Sequence, residues 1–264
     1  MIPNPLELLL DPAALPLYAI YVGLIGWEAI APARRLPAVR GWRLAGAIAF
    51  IGYFLLSSYL PLGWDTLLAP WQLYDLTELG AWGGAAAGLL VYETALYGWH
   101  RLMHSSDRLW LALHQMHHSA ERLDSFSAFW FSPLDMVGFT ALGSLCLVLL
   151  VGITPEAASI VLMTTFFLAI FQHCNIRTPR WLGWVVQRPE QHRVHHARGV
   201  HAYNYADLPL IDWLFGTFRN PADQPGETGF APGASYRISE LMLAHDVAGA
   251  PLGRQDEALA PTVG

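Results

Sequence analysis

The sequence predicts an all-α fold: a polytopic membrane helical bundle of about four to five transmembrane helices with a cytoplasmic helical cap that carries histidine boxes. Three observations lead there. The 264 residues are 54% hydrophobic and only 14% charged, whereas a soluble domain carries about a quarter charged residues. Several apolar runs approach the roughly twenty residues that a helix needs to cross a bilayer. Ten of the eleven histidines lie between residues 100 and 201, beginning where one of those runs ends.

The first run covers 14–31 and the second 44–62. A third, 79–99, leads directly into His100. The fourth, 136–153, and the fifth, 157–172, are joined by the tight Gly152-Ile153-Thr154-Pro155, and the fifth ends at His173. Between the third and fourth, 108–122 alternates polar and apolar residues and suits a short helix near the headgroups. The tryptophans of 181–186 suit a second interfacial segment. From Asn220 onward Pro and Gly are frequent, with one amphipathic helix expected at 236–247 and disorder at 253–264. The expected organisation is a single integral-membrane domain at 1–219, its histidine core at 79–218, followed by a cytoplasmic tail at 220–264. Residues 1–10 lack a basic region and contain Pro3 and Pro5, which does not suit a cleaved signal peptide.

Arginine placement tests the topology independently. All 15 basic residues are arginine. Arg34, Arg35, Arg40 and Arg43 crowd the first link; Arg101, Arg108 and Arg122 follow the third run; Arg177 follows the fifth. Basic links favour the cytoplasm, so the runs alternate without exception and the first link shares one side with every histidine box. A net charge of −6 gives no support to a nucleic-acid partner. Cys146 and Cys174 cannot build a disulfide framework, and packing is the expected role of both.

The boxes read His100-x-x-x-His104, His114-x-x-His117-His118 and His192-x-x-His195-His196, with His173 and His201 as outliers. Residues three and four apart share a helix face, so each box aims two or three imidazoles at one point. Neutral imidazole binds zinc, copper, iron and nickel. Ten histidines exceed the four ligands of one closed zinc site, and two metals would use them all. No carboxylate lies inside a box, which predicts an all-nitrogen site, completed by Asn204 or Asn175 through a water. Glu93, two turns before His100, and Asp212 are the carboxylates expected to orient the rings, with Asp207 a weaker candidate. His245, alone in the tail, is expected at the surface.

These residues resemble the membrane fatty acid hydroxylase and sterol desaturase superfamily. The resemblance rests on His100-Arg101-x-x-His104, His114-x-x-His117-His118-Ser119, His173-x-Asn175 and His192-Arg193-Val194-His195-His196, and continues through Asn204-Tyr205 and Asp212-x-Leu-Phe-Gly216-Thr217. It departs where relatives commonly have Asp instead of Glu93, Gly instead of Ala206, and Arg-x-His-Pro instead of Trp130-Phe131-Ser132-Pro133. The resemblance implies an integral-membrane oxidoreductase that uses O2 and two electrons to hydroxylate or desaturate a fatty acyl, sterol or other isoprenoid lipid. It further implies two Fe ions, with Zn as a substitute in purified protein, held by the box histidines on the cytoplasmic face. A separate electron donor would be cytochrome b5, ferredoxin or a reductase.

The alternative is a membrane metal-binding or transport protein without oxidase activity. Transport sites usually lie near the bilayer midplane on broken helices, whereas these histidines begin where the apolar runs stop. A bis-histidine haem would leave most boxes unexplained. A zinc hydrolase would need a general base such as the Glu of His-Glu-x-x-His, which no box contains.

Overall fold

A computed structural model describes residues 2–224 and 226–249, so the stretch expected to be disordered lies outside the described residues. The described chain is mostly helical, and its β-pairing is an isolated bridge between Ala197 and Thr228. The main helices are α1 (Leu15–Ile30), α2 (Trp42–Leu68), α3 (Gly80–Ser105), α4 (Gln115–His118), α5 (Pro133–Ser144), α6 (Pro155–His173), α7 (Pro189–His195), α8 (Pro209–Leu214) and α9 (Ile238–Met242). A π turn, Trp110–His114, leads into α4, and a second, Leu145–Leu150, extends α5.

Among the described residues, four stretches are long and apolar enough to cross a membrane: Pro12–Ile30, Trp42–Trp71, Pro133–Leu150 and Pro155–His173. Between 17% and 39% of each is buried inside the protein, so most of their apolar side chains face outward, as lipid-facing helices require. The expected third run folds as the 26-residue α3, which is not among the four. Its lower hydropathy has a physical reason. α3 is the central helix and buries Glu93, Tyr92, Tyr97, His100 and His104 against protein rather than lipid.

Starts and stops follow from local chemistry. Ser132 and Thr154 cap α5 and α6 by accepting from the Asp135 and Ala157 amides at 3.2 Å each, with Pro133 and Pro155 at the first helical position. Small residues bring two of the helices close together. Gly84 and Gly88 let α3 approach α6, where an added Cβ would stand 3.0 Å from Ala157 Cβ and 3.3 Å from Val161.

The long helices alternate in direction. At one end, Glu28 of α1 accepts from Ser125 and from the Asn175 amide just past α6, and Trp42 of α2 donates to Asp124 at 2.8 Å. At the other end, Leu73 and Tyr74, past α2, donate to Leu149 and Leu150 at the close of the α5 extension. The first link and all the boxes therefore share one end of the bundle.

The stretch expected to be a tail is folded onto that end. Phe230, Ala234, Leu241 and Val247 share a buried cluster with Trp42, Trp110, Met116 and Trp130. Gln115 ties it down, donating to the His245 carbonyl at 2.7 Å and accepting from the Val247 amide at 3.3 Å. The expected helix at 236–247 is the shorter Ile238–Met242, and His245 is exposed.

Candidate metal centre

The bundle end gathers nine of the ten clustered histidines into two adjoining groups. The first is His100, His104, His114, His118 and His195; the second is His117, His173, His192 and His196. Within each group, one ring nitrogen per residue lies within 4.8 Å of all the others, and every ring is buried. α3 supplies His100 and His104, α6 ends on His173, and α7 with its cap supplies His192, His195 and His196. The π turn before α4 swings His114 into the first group, while neighbouring His117 and His118 divide between the two. The groups touch where His118 stacks on His196 at 4.2 Å.

Distances and unmet valences both suit metal. In the second group His117, His192 and His196 form a chain of Nε2 contacts through and beside His173: 3.1 Å for His117–His173, 3.0 Å for His173–His192 and 3.1 Å for His192–His196. Imidazole nitrogens about 2.0–2.1 Å from a shared ion stand about 3.0–3.4 Å apart. In the first group His104 Nε2, His118 Nε2 and His195 Nε2 are buried without any partner. Each such orphan costs about 1–3 kcal/mol unless something binds it. Burial, and next the surrounding imidazoles, push His117, His118, His192, His195 and His196 well below the ordinary histidine range, so these rings are neutral with lone pairs free to bind a cation.

The far side of each ring decides its orientation. His114 Nδ1 pairs with Asp135 Oδ2 at 2.7 Å. His100 Nδ1 donates to the Tyr205 carbonyl at 2.8 Å, His195 Nδ1 to the Tyr203 carbonyl at 2.7 Å, and His173 Nδ1 to the Ala169 carbonyl at 2.6 Å. The Tyr203–Tyr205 loop reaches this position through left-handed backbone at His201, Tyr203 and Asn204 (φ 43°, 71° and 48°), a conformation that costs about 1–3 kcal/mol per non-glycine residue. Asn204 holds it by donating to the Gln191 carbonyl and accepting from the Arg219 amide, and the Arg219 guanidinium lies 4.1 Å over the Tyr203 ring.

The other residues expected at the site stand outside the two groups. His201 falls outside both groups; its Nδ1 lies 3.0 Å from His118 Nδ1, behind the ring rather than among the converging nitrogens. Glu93, Asn175, Asn204 and Asp212 form no hydrogen bond with a box imidazole. Glu93 accepts from the Asp207 and Leu208 amides, Asn175 donates to the Arg34 carbonyl, and Asn204 holds the loop described above. Asp212 acts one step removed, binding the amide of Tyr205, whose carbonyl holds His100. Asp207 accepts from Gln172 at 2.8 Å. The carboxylate that does touch a ring, Asp135, was missed. Its one signal was a lone acid at the start of an otherwise apolar run, which reads equally as a helix N-terminal residue.

Fold and site together define a class: an all-helical membrane bundle whose helices deliver nine buried imidazoles into two adjoining groups able to hold metal. The family model for fatty acid hydroxylases matches residues 85–217, half of the chain and all ten clustered histidines, and the chain belongs to that family. It is 36% identical over 162 residues to ornithine lipid hydroxylase OlsE of Rhizobium tropici, covering 60% of this chain and 47% of that protein. It is 29% identical over 197 residues to alkylglycerol monooxygenase of Xenopus tropicalis, covering 70% and 38%. It is 25% identical over 165 residues to Delta(7)-sterol-C5(6)-desaturase of Nicotiana tabacum, covering 61% and 58%. The matches thus span between 38% and 58% of the length of these relatives. No solved structure matches the chain.

Proposed function

We propose that the chain is a membrane-bound, O2-dependent di-iron oxidoreductase that hydroxylates or desaturates a C–H position of a lipid. The observation that carries this reading is the convergence of nine buried imidazoles into two touching groups with no carboxylate among them. The activities of the relatives (a lipid hydroxylase, a monooxygenase and a desaturase) support the reaction class. Bound iron would supply the activation of dioxygen.

The chain's own residues do the rest. The two histidine groups hold the ions, while Asp135 and the Tyr203 and Tyr205 carbonyls fix ring orientation from behind. Phe131 lies 4.5 Å from His117, and Phe139 lies 6.1 Å from His114. With Tyr53 packed 6.0 Å from Phe131, they make an apolar wall on the bundle side of the centre. A methylene brought in from the membrane would lie against that wall, shielded from water and close to the ions. Electrons would come from a separate donor of the cytochrome b5, ferredoxin or reductase kind. The histidine end would face the cytoplasm, where the arginine-rich links belong.

The experiment is a turnover assay in liposomes under ¹⁸O2, with iron-loaded protein, a reductant and a mixed lipid extract, read by mass spectrometry. A labelled oxygen in a lipid product means hydroxylation, and loss of two hydrogens means desaturation. Iron-loaded protein that changes no lipid would favour the metal-binding alternative.

A further inference from the structure

The short helix α8 sits beside α3, inside the thickness of the bundle, rather than above it on the cap. Helix register fixes its depth. α3 and α6 run parallel, with Gly84 against Ala157 and Gly88 against Val161, the same offset in both pairs. That offset sets His100 level with His173, the last residue of a membrane-crossing helix, and Glu93 level with Phe166. Glu93 accepts the Asp207 and Leu208 amides at 3.0 and 3.1 Å, immediately before α8 begins. Seven residues at about 1.5 Å each set the Glu93 backbone about 10 Å inside the end of that span, and Asp207 bridges from there toward that end, where it accepts from Gln172. From there the chain climbs. Phe215 stacks on Tyr97 at 4.9 Å, and the Thr217 hydroxyl meets the Tyr97 hydroxyl at 3.3 Å.

A loop at that depth meets a strict requirement. Backbone amides that cannot reach water must find partners within the protein. Four consecutive amides, those of Tyr205, Ala206, Asp207 and Leu208, are taken up by two buried carboxylates: Asp212 accepts the first two at 2.8 and 2.9 Å, Glu93 the second two. A loop bathed in water would not need this. The outer face of α8 is meanwhile apolar and uncovered, with Leu210, Trp213, Leu214 and Phe215 each more than half exposed. The neighbouring 3₁₀ helix Arg180–Trp184 exposes Trp181 and Trp184, and Trp184 packs 4.7 Å from Phe218. Leu90, on the same face of α3 as Glu93 and Tyr97, is exposed as well and continues that apolar surface.

We propose that residues 203–218 form a re-entrant element whose partner is the lipid bilayer. The outer face of α8 is seated among the acyl chains, and Trp181 and Trp184 lie at headgroup level, where tryptophan is favoured. Depth, completed amides and continuity with the outward surface of α3 all select lipid over a soluble protein. The element also bears on the histidines, because its first residues carry the carbonyls that hold His195 and His100.

The test uses full-length protein in phosphatidylcholine vesicles with a fluorophore on single introduced cysteines. The positions are Leu210→Cys, Leu214→Cys and, as a cap control, Glu227→Cys; all three side chains are exposed, so labelling leaves packing intact. The unsubstituted protein, whose two cysteines are buried, gives the labelling background. Phospholipid brominated on its acyl chains should lower emission about twofold or more at 210 and 214 but not at 227, and aqueous iodide should do the reverse. If 210 and 214 respond as 227 does, α8 stands in water, the re-entrant assignment is wrong, and its apolar face belongs to a soluble partner.

Discussion

Asp135 shows how much one side chain can decide at this centre. It is fully buried in the first turn of α5, one oxygen on His114 Nδ1 and the other without a partner. A carboxylate behind a ligating imidazole fixes the tautomer and raises ligand basicity, and losing such a partner typically costs 10–100-fold in metal affinity. Asp135→Asn should therefore retain the fold by circular dichroism yet weaken iron retention by about that factor. His118→Ala and His195→Ala should lower occupancy below the two metals per chain expected of the unsubstituted protein, measured after anaerobic loading; full occupancy in both would remove them from the ligand set. His201 makes a separate prediction. Burial, then nearby positive charge, pushes its folded-state value down to about 3 from the ordinary 6.5. The unfolded chain thus takes up a proton that the folded chain refuses, so stability is complete above pH 6.5 and drains away as pH falls toward 3. The melting temperature should fall through that window, and His201→Gln should flatten part of the fall.

Among the elements, α2 carries a glycine whose role opposes its helix propensity. Exchanging a mid-helix glycine for alanine ordinarily stabilises by about 1 kcal/mol. At Gly46, however, an added Cβ would strike the Phe126 carbonyl oxygen and stand 2.7 Å from Phe126 Cβ, in the loop that Asp124 and Ser127 cap. Overpacking costs about 1–3 kcal/mol, and the obstacle is backbone, which cannot rotate away. Gly46→Ala should therefore lower the melting temperature, whereas Gly52→Ala, with nothing near its added Cβ, should raise it or leave it unchanged. The same scale shows what patterning could reveal. The apolar runs at 14–31, 44–62, 136–153 and 157–172 were legible because lipid selects composition directly. α3 was legible as a helix, but its buried face was not, since a face turned to protein can carry Glu93 and two tyrosines that lipid would exclude.

For the molecule as a whole, the alternating helices make a topological prediction. A reporter inserted after Gly152 should report the side opposite to one inserted after Arg122, because α5 runs between them. Same-side reporting would remove α5 as a span and the site geometry built on it. The tail also belongs to this scale. Its Pro- and Gly-rich composition read as an appendage, yet Phe230, Ala234, Leu241 and Val247 complete a core with Trp42 and Trp130. Sparse apolar residues on an irregular strap show no periodicity, so nothing local announces that they share one buried surface.

The sequence alone determined the solvent, the helices and the side-chain chemistry of the clusters: hydropathy reflects a bilayer, and imidazoles three and four residues apart must share a helix face. Only the tertiary structure decided which ring joins which group, that His201 stands behind His118, and that Asp135 rather than Glu93 meets a histidine. Those choices depend on contacts between residues far apart in the chain and on left-handed backbone at Tyr203 and Asn204, which neither composition nor spacing records.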